Sequence, residues 1–182
     1  MDEIDFYKDK VTSGRDIRLY NEWKMMDAAY SSDDAISYSI TKRSPSGMPV
    51  VYEITFHIKS IIGVEEPDAE GMQEPVFGDT HILQITIPNN YPSADGGYPD
   101  FKFTTDVWHP NIRYFGEFKG HVCLNFEMSG TSTSLVDYIS RIAAYLRYDD
   151  YHALDEEPFP EDQTVAQWVR EQAEPKKWTI IN

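Results

Sequence analysis

The chain contains one cysteine, Cys123, which stands twelve positions after Asn111 in the turn sequence His109-Pro110-Asn111. A thiolate is a good nucleophile and a good leaving group, so it can accept an acyl group and pass it on. An asparagine amide is a neutral donor that can stabilise the negative oxygen of a tetrahedral intermediate. The two residue types, separated by a short polar loop, therefore predict an acyl-transfer site with Cys123 as the nucleophile and Asn111 as the oxyanion donor.

Composition limits the class of protein that could carry this site. The 182 residues, 41% of them hydrophobic, predict one domain with a hydrophobic core. The formal net charge of −15 argues against nucleic acid as a partner, because non-specific binding depends on cationic contacts to phosphate. No apolar run is long enough to span a membrane, and the acidic start at 1–5 resembles neither a secretory nor a transit peptide. One cysteine excludes an intrachain disulfide and no Cys/His cluster has zinc spacing, so we expect no metal and a reducing, cytoplasmic location.

Hydrophobic periodicity predicts the elements that precede the site. A helix is predicted over about 15–30, because Leu19, Trp23, Met26 and Tyr30 recur on one face. Alternating apolar and polar residues predict strands that pair as an antiparallel meander, with a long acidic loop over 65–78. The predicted strands lie near 36–40, 52–58, 83–87 and 101–105.

Two helices are predicted after the cysteine. The first carries an apolar stripe from Leu135 to Leu146, and Ser134 with Asp137 forms a capping box at its start. The second begins at about 162–164, after a polar loop over 148–161. The complete order predicts an α+β domain over 15–172, preceded by an extension at 1–14 and followed by a mobile tail at 173–182.

Three motifs in this order resemble the ubiquitin-conjugating (E2) enzyme family. They are a strand ending in Pro-x-x-Tyr-Pro at 83–92 (LQITIPNNYP), a strand leading to His-Pro-Asn at 98–112 (YPDFKFTTDVWHPNI), and the cysteine segment at 120–124 (GHVCL). The resemblance implies the UBC-like fold, with an N-terminal helix, a four-stranded antiparallel meander, an active-site loop and C-terminal helices. It also implies that Cys123 accepts a ubiquitin-like protein as a thioester from an E1-like activating enzyme and transfers it to a lysine of a protein target, without a cofactor.

Within this interpretation, several residues are candidates to assist the thiol. Asn111 would stabilise the oxyanion, with a purely structural turn role as the alternative. His109 is a candidate as well, more as a hydrogen-bonded support of the turn than as a proton carrier. An incoming lysine must lose its proton, and a nearby acid or base can assist, so Asp155, Asp162 and His152 are candidates. Asp162 also stands where a helix N-cap is expected.

The sequence departs from the family pattern at four places. The interval from Asn111 to Cys123 is longer than usual, extra residues lie at 93–97, and the loop over 148–161 is enlarged. A Trp followed by Ser-Pro after the cysteine is replaced by Thr-Ser-Thr-Ser at 131–134, which weakens the expectation of a RING-type ligase. Such departures resemble the stand-alone conjugating enzymes of bacterial ubiquitin-like pathways, including those of anti-phage operons.

Two other classes of protein remain open at this point. One is a non-catalytic E2 variant that binds a ubiquitin-like protein as an adaptor. The other is an unrelated cysteine hydrolase, with His109, His121 or His152 as its base. Acidic neighbours such as Glu117 and Glu127 oppose a thiolate, so the sequence predicts no strong lowering of the pKa of Cys123.

Overall fold

A computed structural model of the chain describes residues 3–93, 97–124 and 132–181. The helices are α1 (Glu3–Tyr7), α2 (Gly14–Tyr30), α3 (Leu135–Leu146), α4 (Gln163–Trp168) and α5 (Glu174–Lys176), with a 3₁₀ turn over Lys8–Lys10 and a π-helical turn over Val169–Ala173. The strands are β1 (Ile36–Arg43), β2 (Pro49–Phe56), β3 (Ser60–Val64), β4 (Pro75–Gly78), β5 (His81–Thr86) and β6 (Asp100–Phe103).

Four of the strands form the predicted meander. Their order is β1-β2-β5-β6, and every neighbouring pair is antiparallel. Tyr52, Ile54 and Phe56 on β2 are fully buried while Glu53 between them is exposed, which is the alternation expected of a sheet with one wet face. The α+β fold class and the element order implied by the resemblance to ubiquitin-conjugating enzymes are confirmed.

The end of the predicted long loop over 65–78 is a strand instead. Residues 75–78 form β4, which pairs with β3 in a separate two-stranded sheet through Ser60↔Gly78 and Val64↔Pro75. The prediction of a loop throughout was wrong because both strands are short, and adjacent Ile61 and Ile62 hide any period-two alternation. The second predicted strand also ends at 56 rather than at 58.

The long helix α2 and the helix α3 follow the sequence prediction closely. The predicted apolar stripe of α2 is buried, and Ser13 caps its start by accepting from the Asp16 N–H at 3.0 Å. At the start of α3, the Ser134 and Asp137 side chains each accept from the other's backbone N–H, so the predicted capping box is confirmed. Both helices and the four-stranded sheet contribute to one buried core.

A buried carboxylate connects the two helices. Glu22 on α2 is 1% exposed, and its Oε1 accepts hydrogen bonds from Arg18 and from the Tyr91 hydroxyl at 2.7 Å each. Its Oε2 accepts from the backbone N–H of Leu135 at 2.8 Å, the first residue of α3. Paired and hydrogen-bonded in this way, the buried charge fixes the start of α3 against α2.

A second, smaller core lies under the C-terminal helices. It contains Trp108, Trp168 and Ile61, so it joins β3 and the chain before the His-Pro-Asn turn to α4. In the segment predicted to be a mobile tail, the Trp178 ring stacks on Trp168 with centroids 6.1 Å apart. Across the described ranges, no helix combines the length and the apolar character needed to cross a membrane.

Candidate active site

The structure brings the two principal predicted residues together. The backbone N–H of Cys123 donates to the carbonyl oxygen of Asn111 at 2.8 Å. One residue earlier, the N–H of Val122 donates to the carbonyl oxygen of Phe101 on β6 at 3.0 Å, which anchors the segment to the main sheet. The Cys123 side chain itself is partly buried. The rigid sheet therefore holds the thiol beside the His-Pro-Asn turn.

The extra length between Asn111 and Cys123 is confined to a loop with a closed neck. Arg113 donates its N–H to His121 at 2.9 Å, and the Gly120 N–H donates back to Arg113 at 2.7 Å. Gly120 has φ +89°, and a Cβ there would lie 2.1 Å from the carbonyl oxygen of Phe103, so only glycine fits this point. Because the neck is closed, the residues at 114–119 extend the loop without moving Cys123 away from Asn111.

The Asn111 side chain is oriented by a partner far away in sequence. It is 3% exposed, and its Oδ1 accepts from the backbone N–H of His152 at 2.9 Å. A backbone N–H can only donate, so this contact assigns the oxygen to that end of the amide and the nitrogen to the other. Within the described part of the chain, the amide nitrogen forms no hydrogen bond. It is the donor that an oxyanion would need.

His109 supports the turn and carries no charge. Its ring is completely buried, Nδ1 accepts from the Asn111 N–H at 3.1 Å, and Nε2 donates to the carbonyl oxygen of Asp150 at 3.2 Å. The ring also stacks on Tyr145, with centroids 5.0 Å apart. Burial lowers the pKa of His109 to about 3, so the imidazole is neutral at physiological pH. This geometry favours the supporting role over proton transfer.

The two aspartates predicted as proton acceptors are placed differently from each other. Asp162 is 3% exposed and caps α4: its Oδ1 accepts from the N–H groups of Thr164 and Val165 at 3.1 Å each. Its Oδ2 accepts from the N–H groups of Tyr114 and Phe115 at 2.9 and 3.3 Å. With four N–H donors on its two oxygens, the Asp162 carboxylate holds the loop at 114–119 to α4.

The Asp155 side chain makes no hydrogen bond or ion pair toward the thiol among the described residues. It is exposed on the loop over 148–161 and forms no hydrogen bond or ion pair with any residue in the described ranges. His152, the other candidate base, reaches the site through its backbone N–H on Asn111. The structure therefore joins His152 to the oxyanion donor and does not join Asp155 to Cys123.

Glu161 is the acidic residue that the sequence analysis missed. Its Oε1 accepts from Arg113 Nε at 3.3 Å and lies 3.4 Å from His121 Nδ1. Its charge also acts on the Cys123 thiol. A fold-dependent contact brings it there, because the Asp162 N–H donates to the carbonyl oxygen of Pro110 at 2.9 Å. The only sequence signal was its position beside a predicted helix N-cap.

The thiol is not activated in the resting protein. Burial raises the pKa of Cys123, and the negative charge of Glu161 raises it further. The direction agrees with the sequence prediction, although Glu161 rather than Glu117 is the acid responsible, and Glu127 lies outside the described residues.

The replacement predicted to affect ligase recognition begins at Thr131, which also lies outside the described residues. Among the described residues, no group of three His, Cys, Asp or Glu side chains could hold a metal ion.

Comparison with solved structures finds similar chains. The sequence matches no family model and no curated protein. The chain is similar to the crystal structure of the ubiquitin-conjugating enzyme E2 UbcA1 from Agrocybe aegerita, with 15% sequence identity and a TM-score of 0.48. The similarity covers 88% of this chain and 96% of that chain. At this identity, no residue role is transferred from that enzyme to this protein.

Proposed function

We propose that this protein is an E2-type conjugating enzyme that carries a ubiquitin-like protein as a thioester on Cys123. The observation that carries the proposal is the closed loop neck, which keeps the Cys123 N–H on the Asn111 carbonyl at 2.8 Å despite the long interval between them. A partly buried thiol beside an oriented amide donor is the minimum that acyl transfer to and from a thiol needs.

The reaction consists of two acyl transfers. In the first, the Cys123 thiol loses its proton to solvent, its sulfur attacks the carbonyl carbon of a modifier held as a thioester by an E1-like enzyme, and the thiolate of that enzyme leaves. In the second, the amine of a target lysine attacks the Cys123 thioester, an amide forms, and the Cys123 thiolate leaves. The attacking amine loses its proton to solvent. The energy comes from the thioester delivered by the activating enzyme, so neither step needs an oxidant or a metal.

Asn111 and Glu161 have distinct roles in the second transfer. The Asn111 amide nitrogen stabilises the oxyanion of the tetrahedral intermediate, while the His152 N–H holds the opposite end of the amide. Glu161, rather than Asp155 or Asp162, is the acid whose charge acts on the Cys123 thiol. We assign Glu161 the orientation of the incoming lysine ammonium, which its negative charge attracts.

The raised pKa of Cys123 fits a carrier better than a hydrolase. Cysteine hydrolases depend on a thiol whose pKa is lowered by a neighbouring imidazolium. The fully buried imidazole of the His-Pro-Asn turn, His109, is neutral and already hydrogen-bonded through both nitrogens. A thiol that is poorly ionised at rest is instead protected from side reactions until an activated acyl group is presented.

The deciding experiment is intact mass spectrometry of the purified protein after incubation with candidate E1-like enzyme, ubiquitin-like protein and ATP. The resemblance to bacterial pathways makes the proteins encoded beside its gene the first candidates. We expect an adduct of one modifier mass that disappears with thiol reductant and does not form with Cys123→Ala. With Cys123→Ser, we expect an adduct that resists reductant, because an oxyester replaces the thioester. A non-covalent complex without an adduct would favour the adaptor instead.

A further inference from the structure

Two exposed segments near Cys123 share an unusual pattern. Every residue at 115–119 and every residue at 154–159 is exposed. Each segment places acidic residues between large apolar ones: Glu117 lies between Phe115 and Phe118, and three acids lie between Leu154 and Phe159. These four apolar side chains are 48 to 66% exposed. Large apolar side chains grouped on a surface mark interaction sites more often than solitary ones do.

Hydrogen bonds and an ion pair connect the two segments to each other and to the active-site turn. The N–H of Phe115 in the first segment donates to Asp162 at 3.3 Å. Asp162 lies three residues after Phe159, the last residue of the second segment. The Arg113–Glu161 ion pair at 3.3 Å repeats this link at the base of both segments. The second segment begins two residues after His152, whose N–H orients Asn111. Both segments are therefore connected to the turn that contains Asn111, whose carbonyl oxygen accepts from the Cys123 N–H.

The first segment is supported from below by aromatic rings. Phe115 contacts Trp108 and Tyr114 edge-on, with centroids 5.8 and 5.0 Å apart. Trp108 itself is part of the smaller core and contacts Trp168 at 5.9 Å. An exposed ring fixed in this way loses little conformational freedom when another molecule covers it.

The charge of the segments identifies the kind of partner. Within the described residues, none of the carboxylates of Glu117, Asp155, Glu156 and Glu157 forms an ion pair. The one cation in the segments, Lys119, is already paired with Asp106 at 2.7 Å. The chain as a whole carries a formal charge of −15. A partner that covers the apolar side chains must therefore bring positive charge close to these carboxylates.

We propose that the segments at 115–119 and 154–159 form a docking surface for the acceptor protein, and that they select a lysine within a basic segment carrying at least one aromatic or large aliphatic side chain. The proposal rests on the proposed function, since it names the class of acceptor for the Cys123 thioester. Binding of such a segment beside the thiol would raise the local concentration of the attacking amine. We call this surface the acceptor surface below.

The first test measures binding without any chemistry. A fluorescent synthetic peptide with one lysine, three arginines and two phenylalanines is titrated with the uncharged protein, alongside a matched peptide in which glutamates replace the arginines. We expect the basic peptide to bind at least tenfold more tightly, and its affinity to fall as salt is raised. Phe118→Ser, Leu154→Ser and Glu156→Lys should each weaken it by about fivefold or more. The matched controls Met25→Ser on α2 and Asp34→Lys after it should not.

The second test follows transfer from protein already charged with the modifier on Cys123. We expect the modifier to be transferred to the basic peptide about tenfold faster than to the acidic peptide. The acceptor-surface variants should slow transfer to the basic peptide more than they slow transfer to free lysine.

The outcomes separate the two proposals. If no adduct forms on Cys123 but the basic peptide binds and the variants weaken it, the conjugating function is wrong and the surface remains a site for basic peptides. Equal affinity for the two peptides, or unchanged affinity in all three surface variants, overturns the acceptor surface whether or not Cys123 is charged. Binding of the ubiquitin-like modifier at these segments in place of the peptide overturns it as well.

Discussion

Cys123 and Asn111 are joined by a backbone hydrogen bond of 2.8 Å, while the side chain of Asn111 is held by a different residue, His152, at 2.9 Å. The position of the thiol and the orientation of the amide are thus fixed independently of each other. Side-chain substitutions at Asn111 can change the amide chemistry and leave the thiol in place. This separation makes the role of Asn111 testable.

Replacing Asn111 distinguishes catalysis from support. Asn111→Asp keeps an oxygen for the His152 N–H but removes the N–H₂ donor, so we expect discharge of the Cys123 thioester to an amine to fall by about 10²–10³. Because the side chain is 3% exposed, the new charge is buried and should lower the free energy of unfolding as well. Asn111→Ala introduces no charge but loses the anchor for His152, so it should discharge as poorly and lose about 1–3 kcal/mol of stability. Single-turnover discharge and urea unfolding provide the two readouts. Wild-type discharge by Asn111→Asp would leave Asn111 with a structural role alone.

The reactivity of the thiol should depend on Glu161. Because burial and the Glu161 charge both raise the pKa of Cys123, alkylation by iodoacetamide should show a pH midpoint above that of cysteine in an unstructured peptide. Glu161→Gln removes the charge and should move the midpoint to lower pH, whereas Glu117→Gln serves as a control that should not. A midpoint unaffected by Glu161→Gln would remove Glu161 from the electrostatics of the site.

Asp162 should be more important for stability than for chemistry. Asp162→Ala removes the acceptor of four backbone N–H groups, and we expect it to lower the free energy of unfolding by about 2–4 kcal/mol. Asp155→Ala is the matched control on the exposed loop and should change stability by less than about 0.5 kcal/mol. Urea unfolding measures both values. The opposite order of effects would contradict the arrangement described for these two aspartates.

The neutral state of His109 predicts how stability depends on pH. The folded-state pKa is about 3, below the value of about 6.5 expected in the unfolded chain, so the unfolded chain binds a proton that the folded ring does not. This contribution is fully present above pH ~6.5 and is lost as the pH falls toward 3. Between pH 7 and pH 5, His109 alone should reduce stability by about 2 kcal/mol.

The matched comparison uses a second histidine. His109→Asn supplies a side-chain oxygen near the position of Nδ1 but cannot titrate, so this variant should show a shallower fall in stability from pH 7 to 5 than the wild type. His57 is exposed, and His57→Asn should retain the wild-type dependence. Equal pH dependence in the wild type and His109→Asn would show that the ring is not held neutral.

Local patterns made most of the fold predictable. The stripe of α2, the Ser134–Asp137 capping box and the Asp162 cap depend on residues within one or two helical turns, and all three appear as predicted. The proximity of Asn111 and Cys123 was also predictable from the motifs that contain them. The β3–β4 hairpin was missed because its short strands lack a clear alternation.

Contacts between distant parts of the chain made the rest of the site unpredictable. Glu161 reaches the thiol because the Asp162 N–H pairs with Pro110, a contact across some fifty residues that no local pattern encodes. In the same region of the fold, the Asp162 carboxylate accepts from the N–H groups of Tyr114 and Phe115. Sequence reasoning could identify that an acid was needed but not which of several neighbouring acids the fold would place there.

The closed neck between Arg113 and Gly120 has a consequence for how the sequence can vary. Because hydrogen bonds close the neck and Asp162 holds Tyr114 and Phe115, the residues at 116–119 can be exchanged for a longer or shorter sequence without moving the thiol. Gly120 itself cannot be exchanged, because its positive φ and its close approach to Phe103 require glycine. Selection could therefore change what this loop recognises, or a designer could graft a new recognition loop there, while the chemistry beneath it is inherited intact.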